Sequence, residues 1–195
     1  MAEYLDVVTE WGEPTGQTVE RNTAHRQGVR HRTAHVWILR RGPATGRLEI
    51  LLQKRSPNKD SHPGCWDISS AGHIPAGVDY SPSALRELEE ELGVRGVAPA
   101  ELRYCGLRRF RFEGTFHGEP FVDEQVTRVY RLWLNRDPAA FALQAEEVSE
   151  VRWFDFDACL QAVRQNTIPH CIYPEELELV RQGAQEDDKF ASGVV

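Results

Sequence analysis

The residues best placed to do chemistry lie between Gly72 and Val94, which read GHIPAGVDYSPSALRELEEELGV. On a helix of about 3.6 residues per turn, Ala84, Leu85, Leu88 and Leu92 share one arc that can pack against a sheet. Glu87, Glu90 and Glu91 fall together on the opposite side, with Arg86 four positions before Glu90 and Glu89 pointing elsewhere. Neighbouring carboxylates repel one another and raise each other's pKa unless a cation sits among them. A hard divalent ion, Mg²⁺ or Mn²⁺, prefers such oxygen ligands and can hold a diphosphate while water attacks phosphorus. Most acidic helix faces are simply solvated; the glycine-rich approach from Gly72 sets this one apart.

The elements that must position this face can be read from the same text. Ser81 suits a helix N-cap, Pro82 the first turn, and Gly93 the left-handed stop after the last turn. Ahead of it, TAHVWILRR and RLEILLQKRS form two apolar strands separated by the turn GPATG, and residues 3–20 read as a hairpin. Residues 21–32 are polar and rich in Arg and His, and SPNKDSHPGCWD reads as irregular. Strands are expected over 102–112 and 125–134 with EGTFHGEPFVDE as a loop between them, then a strand VRWFDF, a helix over 157–165 and another over 174–183.

Those motifs carry a resemblance. Gly72, Arg86, Glu87, Leu88, Glu90, Glu91, Gly93 and Val94 stand at the spacing of the Nudix box, and the chain resembles the Nudix hydrolase family. One position departs, because Val78 stands where the box has its first Glu, with Asp79 beside it. The resemblance implies an α/β fold, the Nudix α/β/α sandwich with a mixed central sheet, preceded here by an N-terminal β-hairpin extension. The length of 195 residues suits a single domain, read over residues 1–185, with the extension at 1–30, the box at 72–94 and a loose tail at 186–195. Glu87, Glu90 and Glu91 would bind Mg²⁺ or Mn²⁺, with Arg86 orienting Glu90, and Gly72 would lie against substrate. The general base would be a Glu of the box or one of Glu119, Glu124, Glu146 and Glu147.

A second resemblance, to isopentenyl diphosphate isomerase of the same fold, covers GEPTGQTVERNTAHRQGVRH, TAHVWIL and KRSPNKDSHPGCWDISSAGH. It places His25, His31 and His73 where the isomerase holds a metal ion, a possible second site suited to Mn²⁺ or Zn²⁺. The isomerase's acid–base Cys is replaced by Ala71, its pair of Glu falls near Asp123 and Gln125, and its Trp near the C-terminus is replaced by His170. Alanine exchanges no proton, so the expected reaction is hydrolysis of a diphosphate bond in a nucleotide derivative or an isoprenoid diphosphate. An isomerase and a catalytically silent binding module are the alternatives.

Other side chains are read more plainly. His35, inside a strand, is expected to be a buried, hydrogen-bonded imidazole, and His62 and His117 carry no signal. Arg55 is the expected diphosphate contact, while Arg109 and Arg111 share one strand face and Arg108 the other. Phe110, Phe112, Phe116 and Phe121 could stack a base or cover an apolar tail, though at strand spacing such residues are more often core.

Composition limits the partners. The 195 residues carry a net charge of −7 without a long basic run, which disfavours a nucleic acid polymer, and no apolar stretch is long enough to span a membrane. Four scattered cysteines without a CxxC pair read as free thiols, which with the acidic N-terminus points to a cytoplasmic protein. The partner that the resemblance implies is a small-molecule diphosphate substrate, and the hairpin and tail could each support a homodimer.

Overall fold

Alternation along two strands decides the layers. In β3 (His31–Arg41), Val36 and Ile38 face one side, while Trp37 and Leu39 face the other; in β4 (Leu48–Arg55), Leu51 opposes Ile50 and Leu52. All seven side chains are buried, so both faces of the sheet are covered. The structure, a computed structural model, describes residues 2–59, 61–116 and 118–191. His117 and residues 192–195 of the expected tail lie outside the described residues.

A two-stranded hairpin, β1 (Tyr4–Val8) and β2 (Pro14–Glu20), leads into a short helix α1 (Arg21–Gln27). The polar stretch after the hairpin is therefore helical. The Glu20 carboxylate caps its first turn by accepting from the amides of Asn22 and Thr23, and Gly28 closes it in the left-handed conformation. The main sheet is mixed: β3 runs parallel to β8 (Glu119–Trp133) and antiparallel to β4 and to β6 (Ser70–His73). β4 also pairs with β5 (Trp66–Asp67) and β9 (Val148–Asp155), and β7 (Arg103–Phe116) closes the β8 edge.

Helix α2 (Tyr80–Leu92) packs Ala84, Leu88 and Leu92 on the Val36/Ile38 face. Helices α3 (Phe156–Gln165) and α4 (Pro174–Ala191) cover the opposite face through Leu160, Val163, Leu177 and Val180. The α/β/α sandwich with its mixed sheet is thus as expected. No helix among the described residues is long and apolar enough to cross a membrane.

Three boundaries differ from the sequence reading. Helix α2 starts after Asp79 rather than Ser81, because Tyr80 is buried in the core with the guanidinium groups of Arg32 and Arg128 over its ring. The stretch expected as a loop at 113–124 continues the β7–β8 ladder almost to its tip, where Phe112, Phe116 and Phe121 pack on one another across the strands. The expected tail at 186–195 is helical as far as Ala191. Asp187 accepts from Arg131 Nε and Nη2, both at 2.7 Å, and from Trp133 Nε1, and Asp188 pairs with Arg41. The stretch expected as a loose tail thus holds the last turns of α4 to the sheet through two of its carboxylates.

Asp187→Ala strands three donors, Arg131 Nε and Nη2 and Trp133 Nε1, and is expected to cost about 2 kcal/mol of stability. Urea unfolding measures it; an unchanged midpoint would mean that the last turns of α4 do not hold to the sheet through this carboxylate.

Candidate active site

One pocket of about 1160 Å³ opens between the box helix, the β6 strand, the β7–β8 hairpin and the segment before α4. Its acidic side is α2. Glu87, Glu90 and Glu91 all line the pocket, as their spacing suggested, but at different depths. Glu90 is half exposed, whereas Glu91 is buried, its Oε2 accepting from the amide of Ala71 at 3.3 Å. Burial, with Glu87 nearby, pushes the Glu91 carboxyl up to about 8. Burial pushes Glu87 up to about 7, against the pull of Arg86. Two carboxylates raised this far by burial form a donor set that a divalent cation would relieve, so the residues fit a hard metal ion. Arg86 lies nearer Glu87 (2.7 Å) than Glu90 (3.5 Å), so it orients both.

Gly72 has a steric reason to be glycine. A Cβ there would lie 2.3 Å from Glu87 Cδ, so the carboxylate occupies the space a side chain would need. Val78, in place of the first box Glu, is partly exposed and contributes its carbonyl instead, accepting from Arg32 Nη2 at 2.9 Å. Arg32 also bonds Asp6 at 2.6 Å, and Asp6 accepts from the amide of Gly77 at 2.9 Å. The N-terminal hairpin thereby clamps the loop ahead of the box helix.

A second cluster occupies the same pocket. Ligand atoms of His25, His31, His73 and Asp123 all lie within 4.8 Å of one another. His25 Nε2 is 3.2 Å from His73 Nε2, and Asp123 Oδ1 is 3.5 Å from His31 Nε2. His31 Nδ1 donates to the Val29 carbonyl at 2.9 Å, which turns the lone pair of Nε2 inward. That Nε2 and Asp123 Oδ1 are buried atoms without a hydrogen-bond partner, and both aim into the cluster. The Gln125 amide donates to Asp123 Oδ2 at 2.6 Å and leaves Oδ1 for the histidines. Burial lowers His25 to about 4, lowers His31, and holds His73 well below its ordinary value, so the three imidazoles are neutral at pH 7. Three neutral imidazoles and one carboxylate suit Zn²⁺ or Mn²⁺. Asp123 was visible in sequence only as the counterpart of an isomerase Glu.

The remaining expected residues divide. His35 is a buried, bonded imidazole, its Nδ1 on Glu176 Oε1 at 2.8 Å. Arg55 lines the pocket, but its guanidinium is already held by Asp67 and by the carbonyl and hydroxyl of Ser61. Glu119, Glu146 and Glu147 reach the pocket, the last paired with Lys59, whereas Glu124 is taken by Arg30 and Arg111. His170 lines the pocket, and among the described residues its ring bonds locally, to Asn166 Oδ1 and the Ile172 amide. Along β7, Arg108, Phe110, Phe112 and Phe116 face the pocket, while Arg109 and Arg111 pair with Glu10 and Glu113 outside it.

The profile of the NUDIX domain matches residues 29–174. The chain belongs to the Nudix hydrolase family. It is 43% identical to Nudix hydrolase 3 of Arabidopsis thaliana over 97% of its own length, and spans 25% of that longer plant protein. An uncharacterized Nudix hydrolase of Yersinia pestis is 34% identical, with 77% of this chain and 72% of that one covered. Among solved structures, DR0079 from Deinococcus radiodurans superposes with a TM-score of 0.64 at 22% identity, covering 93% of this chain and 99% of that one. The NUDIX domain of Shewanella oneidensis NrtR, complexed with ADP ribose, superposes with a TM-score of 0.56 at 18% identity, covering 77% and 86%. These two likenesses concern the fold.

If His25, His31, His73 and Asp123 hold a metal, protein purified without chelator should carry close to one equivalent by elemental analysis, and His73→Ala should lose it. Equal metal content in the two proteins would leave the imidazoles as packing groups.

Proposed function

We propose that this Nudix hydrolase cleaves the diphosphate bond of a small compound, with water as the attacking group and Glu87, Glu90 and Glu91 as the metal-binding carboxylates. The observation that carries the reading is the convergence of the three carboxylates on one pocket, with Glu87 seated against Gly72 and Glu91 against the Ala71 amide. A divalent cation there supplies charge neutralisation at phosphate oxygens and a lowered pKa for water. The chain's own residues do the rest. Arg86 fixes Glu87 and Glu90. Glu119, Glu146 and Glu147 stand in reach of the pocket as candidate bases. Phe112, Phe116 and Phe121 form an apolar wall for the group beyond the diphosphate.

The substrate is a nucleoside diphosphate derivative or an isoprenoid diphosphate. ADP-ribose, bound by one structural relative, is the first compound to try. The His25, His31, His73 and Asp123 cluster favours a kinship with the isomerase-like branch of the family. The Ala71 methyl on the pocket floor, where a proton donor would be needed, argues for hydrolysis within that branch.

Release of phosphate or of nucleoside monophosphate should require Mg²⁺ or Mn²⁺ and stop with EDTA. Glu90→Gln should lower the rate by roughly a hundredfold or more while the fold is kept, because an exposed metal ligand is not core. Activity that survives chelator or Glu90→Gln would overturn the assignment.

A further inference from the structure

Cations lining the pocket differ in how many donors the fold has already committed. Arg55 uses all three nitrogens, Nε on Ser61 O at 3.0 Å, Nη1 on Asp67 at 2.9 Å and Nη2 on Ser61 Oγ at 3.0 Å. Arg108 uses one: its Nη1 donates to Glu176 Oε2 at 3.2 Å. A guanidinium carries five N–H groups in a planar fork, so most of those on Arg108 have no protein acceptor among the described residues. Its side chain is only 14% exposed, and the surface it does show belongs to the pocket.

The group is also held still. Arg108 Cζ sits 4.2 Å from the ring centre of Tyr173 and 4.7 Å from that of Phe110, in the notch between two rings packed edge to face. Such contact restrains a guanidinium without consuming a donor. Glu176 cannot follow the arginine outward, because it is buried and accepts at the same time from His35 Nδ1 and Trp37 Nε1, each at 2.8 Å. The result is a fixed fork with a free edge toward the cavity, the geometry that recognises phosphate bidentately. Arg108 stands on β7 and the acidic cluster on α2, so a ligand touching both spans the pocket.

We propose that Arg108, and not Arg55, receives a phosphoryl group of the substrate, the one remote from the acidic cluster. This rests on the diphosphate reading of the same pocket and adds to it the cationic half that a polyanion needs opposite its metal-bound half.

The test is calorimetric titration of the purified protein with inorganic pyrophosphate in Mg²⁺, for wild type, Arg108→Gln and Arg108→Lys. The Gln variant should bind roughly tenfold more weakly or worse, and Lys should recover only part, because it keeps the charge without the fork. Lys also keeps a cation beside Glu176, so its melting temperature should match wild type; if Gln fails to fold, Lys decides. Affinities within twofold of wild type in the folded variants would overturn the proposal. A wild type that takes up no pyrophosphate would overturn it together with the diphosphate reading. Uptake that depends on Arg108 without hydrolysis of any diphosphate would uphold the role of Arg108 and overturn hydrolysis alone.

Discussion

The site hangs on the antiparallel pairing of β6 with β3, which sets three consecutive residues in register: Ala71 opposite His35, Gly72 opposite Ala34 and His73 opposite Thr33. Each of the three meets a different part of the chemistry. The Ala71 amide donates to Glu91, Gly72 leaves room for Glu87, and the His73 imidazole lies against His25. A one-residue slip would turn Gly72 and its neighbours to the opposite face, so this short ladder couples the oxygen-rich and nitrogen-rich clusters rigidly. The lack of a side chain at Gly72 is what lets α2 come close enough.

That arrangement is electrostatically expensive in isolation. Glu87 and Glu91 are held high by burial, three imidazoles are held neutral, and two inward-facing atoms have no partner. Groups left in this condition cost stability unless a ligand satisfies them. The surroundings supply rigidity to compensate: the Arg32–Asp6 pair ties the hairpin to the box loop, and Glu176 gathers His35, Trp37 and Arg108 beneath the pocket. Burial alone would push Glu176 up, but those three donors together hold its carboxyl below the usual range. The hairpin extension also fixes the loop that carries Val78, through Asp6 on the Gly77 amide and through Arg32, bonded to Asp6, on the Val78 carbonyl.

Local periodicity made the box helix legible: the arc of Ala84, Leu88 and Leu92 is core, and the Glu87, Glu90 and Glu91 face reaches the pocket. Glu91 is the exception to that division: at about 100° per residue it comes two turns after Ala84 and stands beside it at the edge of the apolar arc, which is why it is buried while Glu90 is exposed. Two segments misled because their composition resembles loop or tail. At 113–124, glycine and charge concealed a strand ladder held by phenylalanines, and beyond 185 an acidic run concealed a helix held by Arg131 and Trp133. The partnership of Arg108 with Glu176 joins residues far apart in sequence, and nothing local marks it. Arg55, next to the expected strand end, looked better placed than it is, because its partners Ser61 and Asp67 come from a loop whose path no pattern reveals.

The central claim is that water attacks phosphorus in this pocket. Turnover of a nucleoside diphosphate derivative such as ADP-ribose in ¹⁸O-labelled water, followed by mass spectrometry of the products, addresses it directly. The account predicts one labelled oxygen in a phosphate group of one product. Label in the sugar, or a product rearranged without uptake of water, would contradict it.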